Sequence, residues 1–213
     1  MLIESISRNS ILLGIFAIAT TAVIAGTYLN TQAAIEENIR IAEKSALVAI
    51  VSDERHDNSL LDDYIEVDDE KLLGLRKQKK LYIAKQSGSV VAVIIPSTAR
   101  EGYTGDIDLI VGINTDGSVA GVRVLSHRET PGLGDKVDYK KSQWVDGFIG
   151  KSLLNPLPEQ WRVKRDGGEF DQFTGATITP RAVTKAVKQA LEYFQAHRAD
   201  FMPQPETEAQ DNG

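Results

Sequence analysis

Cysteine is absent from the 213-residue sequence, and histidine occurs only three times. The lack of cysteine excludes disulfides, thiolate metal sites, iron–sulfur ligation by this chain and cysteine nucleophiles. The histidines at positions 56, 127 and 197 lack the spacing of a metal site, and the sequence predicts neither metal ligands nor catalytic residues. Any redox role of the chain therefore requires an organic cofactor.

The chain also lacks an excess of basic residues, since its formal net charge is −6. All of this charge falls on residues 36–213, because Glu4 and Arg8 cancel each other before them. Nucleic acid is therefore not predicted as a partner. No G-x-G-x-x-G follows a predicted strand, so a Rossmann domain is not indicated.

Only one long apolar run occurs, and it lies in the N-terminal segment, residues 1–35. Residues 9–35 contain no charge, and residues 11–29 are almost wholly apolar, enough to cross a bilayer of ~30 Å at ~1.5 Å per residue. This pattern predicts a single transmembrane helix. Arg8 before it and two glutamates after it favour a cytoplasmic N-terminus and an exported remainder. A cleaved signal peptide, cut after residues 23–25, is the alternative.

Residues 36–80 are predicted to form a juxtamembrane helix followed by a charged connection. A helical pattern continues from residue 35 to residue 51. Residues 52–70 then contain nine acidic residues against Arg55, which is typical of a solvated segment. A calcium site is a weaker alternative, because the acidic residues lack the EF-hand spacing and its fixed glycine.

Short apolar segments separated by turns begin at residue 81 and predict an antiparallel sheet. The predicted strands cover residues 81–84, 90–95, 107–113, 119–125 and 161–163. The turn Asn114-Thr115-Asp116-Gly117 gives the best hairpin. A helix with an apolar stripe follows residue 179. The fold class is therefore α+β, with a domain over 81–200, an antiparallel sheet and flanking helices. A disordered tail is expected over 201–213.

The run Asp171-Gln172-Phe173-Thr174-Gly175-Ala176-Thr177 precedes this helix. Thr179 is predicted as the N-cap and Pro180 as the first helical residue. The helix N-terminus offers unpaired N–H groups and the positive end of the dipole, and small residues let a bulky ligand approach the backbone. The pattern therefore favours a phosphate beside Thr177, although a capped helix after a glycine turn has the same pattern.

The loop His127-Arg128-Glu129-Thr130-Pro131-Gly132-Leu133-Gly134 is the second candidate site. Its glycines allow tight backbone geometry. Its backbone and Thr130 could meet a ligand, with Glu129 as a hydrogen-bond acceptor, while an ordinary turn explains the same residues. A single histidine is more often structural, so catalysis is not assigned to His127.

The run ending at Thr177 resembles the flavinylation motif, Asp-x-x-Ser/Thr-Gly-Ala-Thr, of flavoproteins that carry FMN on the last threonine. The runs 102–107, 129–134 and 171–177 follow one another in this order along the chain. They make most of residues 85–195 similar to the FMN-binding domains of the G subunit of the Rnf electron-transport complex. The related C subunit of the sodium-translocating NADH:quinone reductase shares the pattern.

The resemblance implies FMN bound covalently through a phosphoester to Thr177. A separate flavin transferase with FAD as donor is expected to attach it, because no catalytic base is evident beside Thr177. The aromatic residues Tyr103, Trp144 and Phe173 either shield the ring or pack in the core. Four cations nearby, Lys164, Arg165, Lys185 and Lys188, are assigned no role. The supporting cofactor-binding residues are Thr174, Gly175, Ala176, Thr179, Glu129, Thr130, Gly132 and Leu133.

The resemblance further implies an electron-transfer subunit of an ion-translocating oxidoreductase in a bacterial inner membrane, with a periplasmic flavin domain. Its partners would be other subunits and the lipid bilayer. The chain is not expected to be a complete enzyme, because it has neither a nicotinamide motif nor cluster ligands. Two alternatives remain open: a non-redox, membrane-anchored binding module, and a flavin reductase with exchangeable FMN.

Overall fold

The computed structural model describes residues 2–202, which divide into two compact units between residues 43 and 44. The first unit consists of most of helix α1, which spans Leu2–Val48. Among the residues described, α1 is the one helix long and apolar enough to cross a membrane by length and composition. The predicted transmembrane segment, residues 11–29, lies within it.

The second unit is built on a five-stranded antiparallel sheet with the strand order β1-β2-β3-β4-β5. Each strand pairs with its neighbours in sequence, so the sheet is a meander, and the α+β prediction is confirmed. The strands are β1 (Tyr64–Val67), β2 (Lys79–Gln86), β3 (Ser89–Ala99), β4 (Ile107–Asn114) and β5 (Val119–Ser126).

Helices and short turns complete the second unit. Helix α2 spans Ile178–Ala196, and a short helix, α3, spans Arg198–Phe201. Short 3-10 turns occupy Asp53–Arg55, Gly134–Val137, Trp144–Phe148, Pro158–Gln160 and Lys164–Asp166. Phe201, where the predicted tail begins, is buried, and residues 203–213 lie outside the described part of the chain.

The larger core lies on the face of the sheet that α2 covers. Residues alternate along a strand between the two faces, and Val93 and Val111 point to this one. They share the core with Val183, Val187 and Leu191 from the apolar stripe of α2. Full burial of each such side chain contributes about 1.5–3 kcal/mol, so this stripe fixes α2, and with it the turn that precedes α2.

The second face of the sheet is covered by the residues that follow the boundary between the units. Leu47, Ile50 and Val51 pack there with Ile94 and other residues of β2, β3 and β4. Gly112 on β4 makes this approach possible, because a Cβ at that position would lie 2.1 Å from Ile50 Cγ2. The sheet is therefore buried on both faces, which explains the long apolar runs in β3 and β4.

The structure differs from the sequence pattern in two segments. Residues 36–80 are not only a charged connection, because they include β1 and the buried side chains of Leu60, Leu73 and Leu75. The strand itself is hidden in the sequence because Val67 is the one buried residue of β1. The predicted strand over 161–163 is wrong, since this segment forms only one bridge, between Val163 and Phe170, beside 3-10 turns.

Candidate functional site

A pocket of about 330 Å³ lies where three connections meet on the second unit. They are the β3–β4 loop, the loop that leaves β5 and the turn that enters α2. This volume is at the lower end of the range for small-molecule sites. The lining residues are Tyr103, Glu129, Thr130, Leu133, Gly134, Gly175, Ala176, Thr177, Ile178 and Thr179.

A tight turn sets the position of Thr177. The Ala176 N–H donates to the Phe173 carbonyl oxygen at 3.1 Å, and Gly175 has a φ of +82°, in the left-handed region that favours glycine. Thr177 follows as the N-cap of α2, and its carbonyl oxygen accepts from the Arg181 N–H at 3.2 Å. Thr177 therefore lies at the start of the helix and lines the pocket.

Thr179 has a different role from the predicted one. The N-cap is Thr177, and Thr179 lies inside the first turn of α2, where it is fully buried. Its hydroxyl donates a short hydrogen bond to Glu129 Oε2. The motif predicts the helix start to within two residues, but the partner of Thr179 lies 50 residues away in sequence, and local spacing does not reveal it.

Glu129 joins all three connections around the pocket. Its Oε1 accepts from the Thr104 N–H at 3.0 Å and from the Thr104 hydroxyl at 3.1 Å, while Oε2 accepts from Thr179. Burial by itself raises the pKa of Glu129, but these hydrogen bonds outweigh it and hold the pKa below its ordinary value. The carboxylate, only 4% exposed, is therefore charged and serves as a structural acceptor.

Gly134 makes room for this arrangement. A Cβ at Gly134 would lie 2.7 Å from Thr179 Oγ1 and 2.8 Å from Glu129 Oε2. His127 also supports the loop, because its Nδ1 accepts from the Glu129 N–H at 3.1 Å. His127 thus has a structural contact.

Three large apolar side chains among the lining residues remain exposed to solvent. Tyr103 is 67% exposed, Ile178 44% and Leu133 42%. Exposed apolar groups gathered at one cavity are typical of a ligand site. Trp144 and Phe173 instead pack edge to face, with ring centroids 5.1 Å apart, and the Trp144 indole N–H donates to the carbonyl oxygen of Asp171 at 2.8 Å. These two aromatic residues hold the motif against the core.

Positive charge lies beside the Thr177 hydroxyl. Arg165 Nη1 donates to Thr177 Oγ1 at 3.4 Å. Two neighbouring cations form ion pairs instead, Lys164 with Asp171 at 2.7 Å and Arg181 with Asp166 at 2.5 Å. The motif spacing contains no signal for Arg165, which reaches Thr177 because residues 162–170 fold back on themselves.

Most of the predicted site residues meet at this one pocket. Thr174 and Gly132 are in the same turns but do not line it. Tyr103, Gly134 and Ile178 line it without having been among the predicted binding residues, although Tyr103 and Gly134 lie in the runs that carry the resemblance. The predicted residues that line the pocket are Glu129, Thr130, Leu133, Gly175, Ala176, Thr177 and Thr179.

The sequence matches two families along its length. Residues 102–192 match the FMN-binding domain, and residues 1–50 match the RnfG N-terminal region. The first match contains the whole pocket. The second contains the apolar part of α1, which fits a membrane-anchored protein.

Relatives from several bacteria match almost the entire chain. The G subunit of the ion-translocating oxidoreductase complex of Shewanella loihica is 46% identical over 202 residues, 95% of each chain. The G subunit of Aliivibrio fischeri is 43% identical over 204 residues, 96% of this chain and 97% of its own. That of Pseudomonas aeruginosa is 46% identical over 195 residues, 92% of this chain and 91% of its own. The resemblance found in the sequence is confirmed: this chain belongs to the family of G subunits of ion-translocating oxidoreductase complexes.

Proposed function

We propose that the chain is a membrane-anchored electron-transfer subunit of an ion-translocating oxidoreductase complex and carries FMN through a phosphoester on Thr177. The observation that carries the proposal is the position of Thr177, which lines the pocket and is the N-cap of α2. Membership of the G-subunit family supports the redox role, and the match of residues 102–192 to the FMN-binding domain supports the cofactor.

The residues at the helix end of the pocket fit the phosphate of FMN. The first turn of α2 has N–H groups without helical acceptors and the positive end of the helix dipole. Gly175 contributes no side chain, and a Cβ there would already lie 3.6 Å from Leu133 Cδ2. Arg165 is not among the lining residues, but its guanidinium reaches the Thr177 hydroxyl and brings positive charge beside it.

The apolar part of the pocket lining fits a flat, largely apolar ring. Tyr103, Leu133 and Ile178 are exposed there. A ring system that covers these side chains would remove their apolar surface from water. This burial contributes a favourable free energy of about 25 cal/mol per Å². Glu129 does not face the ring as a free acceptor, because both of its oxygens bind threonines; its role is to hold the loop in place.

Bound FMN supplies reversible electron exchange, which the side chains of this chain do not provide. The chain's own residues bind and orient it, and a covalent link keeps it from being lost. In the attachment step, the Thr177 oxygen forms a bond to the FMN phosphorus of FAD, the pyrophosphate bond breaks and AMP leaves. The hydroxyl proton passes to a base of the flavin transferase, since the side-chain contact of the Thr177 hydroxyl among the described residues is with the Arg165 guanidinium, a donor that has no acceptor site. No electron is transferred in this step.

The remaining parts of the proposal concern the membrane and the complex. Helix α1 spans the inner membrane once, with the N-terminus in the cytoplasm and the flavin domain in the periplasm. Other subunits supply the electron donor and acceptor. The charges that flank the apolar run support this orientation, because Arg8 precedes it and Glu36 and Glu37 follow it.

The test is the mass of the chain produced in a host with an active flavin transferase. A wild-type adduct of one FMN on the tryptic peptide that contains Thr177 is expected, and Thr177→Val should abolish it, because valine keeps the shape of threonine but has no hydroxyl. Thr115→Val, in the turn between β4 and β5, is the matched control and should keep the adduct.

Two results would contradict the proposal. An adduct retained in Thr177→Val would place the link elsewhere. An unmodified wild-type chain, with the transferase active on a control substrate, would favour the non-redox binding module instead.

A further inference from the structure

We propose that Arg165 is the phosphate-binding residue of this site: its guanidinium holds the phosphate that joins FMN to Thr177 and thereby restrains the flavin against the pocket. The inference rests on the proposed function and goes beyond it by assigning a second contact, separate from the covalent link. The link keeps FMN on the chain. Arg165 keeps the linked group in one place.

The contact between Arg165 and Thr177 is the first argument. Arg165 Nη1 lies 3.4 Å from Thr177 Oγ1, the atom to which the phosphate would be esterified. A phosphate on this oxygen carries its negative charge within reach of the same guanidinium. Arginine binds phosphate oxygens through parallel N–H donors, and such charge-assisted hydrogen bonds are about twice as strong as neutral ones.

The second argument is that three other cations, one next to Arg165 in sequence and two on α2, are already paired. In the described part of the chain, Arg165 forms no ion pair, and its side chain contacts the Thr177 hydroxyl instead. Asp166 also interacts electrostatically with Arg165, but its ion pair is with Arg181. Arg165 is therefore the cation in contact with Thr177 that has no ion-pair partner of its own among the described residues. The paired neighbours are Lys164 with Asp171, Arg181 with Asp166 and Lys185 with Glu101.

The third argument is that the backbone of Arg165 is held in place before any ligand binds. Val163 and Phe170 are buried on either side of it and form a β-bridge. The Lys164 N–H donates to the Phe170 carbonyl oxygen at 2.7 Å, and the Arg165 N–H donates to Gln172 Oε1 at 3.1 Å. Preorganisation of this kind lowers the entropy cost of holding a ligand.

Loss of the Arg165 guanidinium should have a measurable effect on the motion of the attached flavin. Without the guanidinium, the phosphate remains attached to Thr177 but loses its counter-charge, and the flavin leaves the pocket surface more often. One charge-assisted hydrogen bond corresponds to a change of about tenfold in the ratio of docked to undocked flavin. Because Arg165 is exposed to solvent, a change of about threefold is the more realistic expectation.

The experiment compares covalently flavinylated full-length chains in detergent. The readouts are the fluorescence anisotropy of the flavin and its quenching by acrylamide, a neutral quencher that the arginine does not attract. Arg165→Ala should keep the FMN mass adduct, lower the anisotropy and raise the quenching constant about threefold. Arg165→Lys should give anisotropy and quenching between those of the wild type and Arg165→Ala, because lysine keeps the charge and loses the planar fork. Arg162→Ala removes an exposed arginine three positions away and should match the wild type.

The proposal is overturned if Arg165→Ala carries FMN and shows wild-type anisotropy and quenching. If the alanine variant receives no FMN, Arg165→Gln repeats the comparison with a longer side chain, and wild-type quenching there has the same meaning. Added salt gives a further measurement, because it screens the attraction between the Arg165 guanidinium and the phosphate. Salt should therefore raise the quenching constant of the wild type and leave that of Arg165→Ala unchanged. Failure of the proposed function is a separate result, because a wild-type chain without FMN on Thr177 refutes that function before any variant is compared.

Discussion

Replacement of Glu129 by glutamine should destabilise the second unit at neutral pH. The carboxylate is 4% exposed and accepts two hydrogen bonds from Thr104 and one from Thr179. Hydrogen bonds to a charged group contribute about 1.5–3 kcal/mol each. Glutamine keeps one oxygen acceptor but turns an NH₂ group towards the other partner. Part of this loss is offset, because burial of the neutral amide costs less free energy than burial of the charged carboxylate. A net loss of about 2 kcal/mol is expected, or about 4–8 °C in Tm for a unit of this size.

The pH dependence separates a charge effect from a packing effect. Because the pKa of Glu129 is lower in the folded state than its ordinary value, its contribution is fully present above the unfolded value, about 4.3. The contribution is lost as the pH falls through the lowered folded value. The stability difference between the wild type and Glu129→Gln should therefore be largest near neutral pH and should shrink in acid.

The assay is urea unfolding of the flavin-free, full-length chain in detergent, since attached FMN would add its own stabilisation. Tryptophan fluorescence reports on the second unit, because both tryptophans, Trp144 and Trp161, lie in it. Glu159→Gln changes an exposed glutamate and should stay within about 0.5 kcal/mol of the wild type. A difference for Glu129→Gln that is absent at neutral pH, or equal at neutral and acid pH, would refute the reasoning.

Two further predictions concern the sheet and the membrane. Gly112→Ala should destabilise the second unit by about 1–3 kcal/mol, because its Cβ would lie 2.1 Å from Ile50 Cγ2; urea unfolding measures this, and Ile50→Ala should relieve it in the double variant. Since the chain has no cysteine, single cysteines at Ser7 and Gln143 report topology. A membrane-impermeant maleimide added to the periplasmic side should label Gln143→Cys and spare Ser7→Cys, and the reverse pattern would invert the proposed orientation.

The sequence allowed the central hairpin to be predicted almost to the residue. Alternating apolar positions and the turn at 114–117 predict strands over 107–113 and 119–125, and β4 and β5 span Ile107–Asn114 and Val119–Ser126. Local signals suffice here because the turn fixes the register and the two strands pair with each other. Strand β1 was hidden because only its last residue, Val67, is buried.

The site could be predicted only in part, because local sequence signals report on neighbouring residues and not on contacts between distant segments. The turn with Gly175 and Thr177 consists of consecutive residues, so the motif places them together. The contact of Glu129 with Thr179, and that of Arg165 with Thr177, depend on how the connections converge over the sheet. No periodicity encodes such pairings between distant segments, and the predicted N-cap at Thr179 is wrong because a buried partner engages this threonine instead.

The meander has a consequence for the order in which the second unit is completed. Each strand pairs with the one before it, so the sheet can grow strand by strand along the chain, with only short loops to close. Helix α2 must then return over β3 and β4, and it is the last long element to arrive. The pocket is complete only when α2 is docked, because Thr177, Ile178 and Thr179 line it from the start of this helix. The proposed transferase would therefore meet Thr177 in a flexible peptide if it acts before α2 docks, and at a fixed helix start if it acts afterwards.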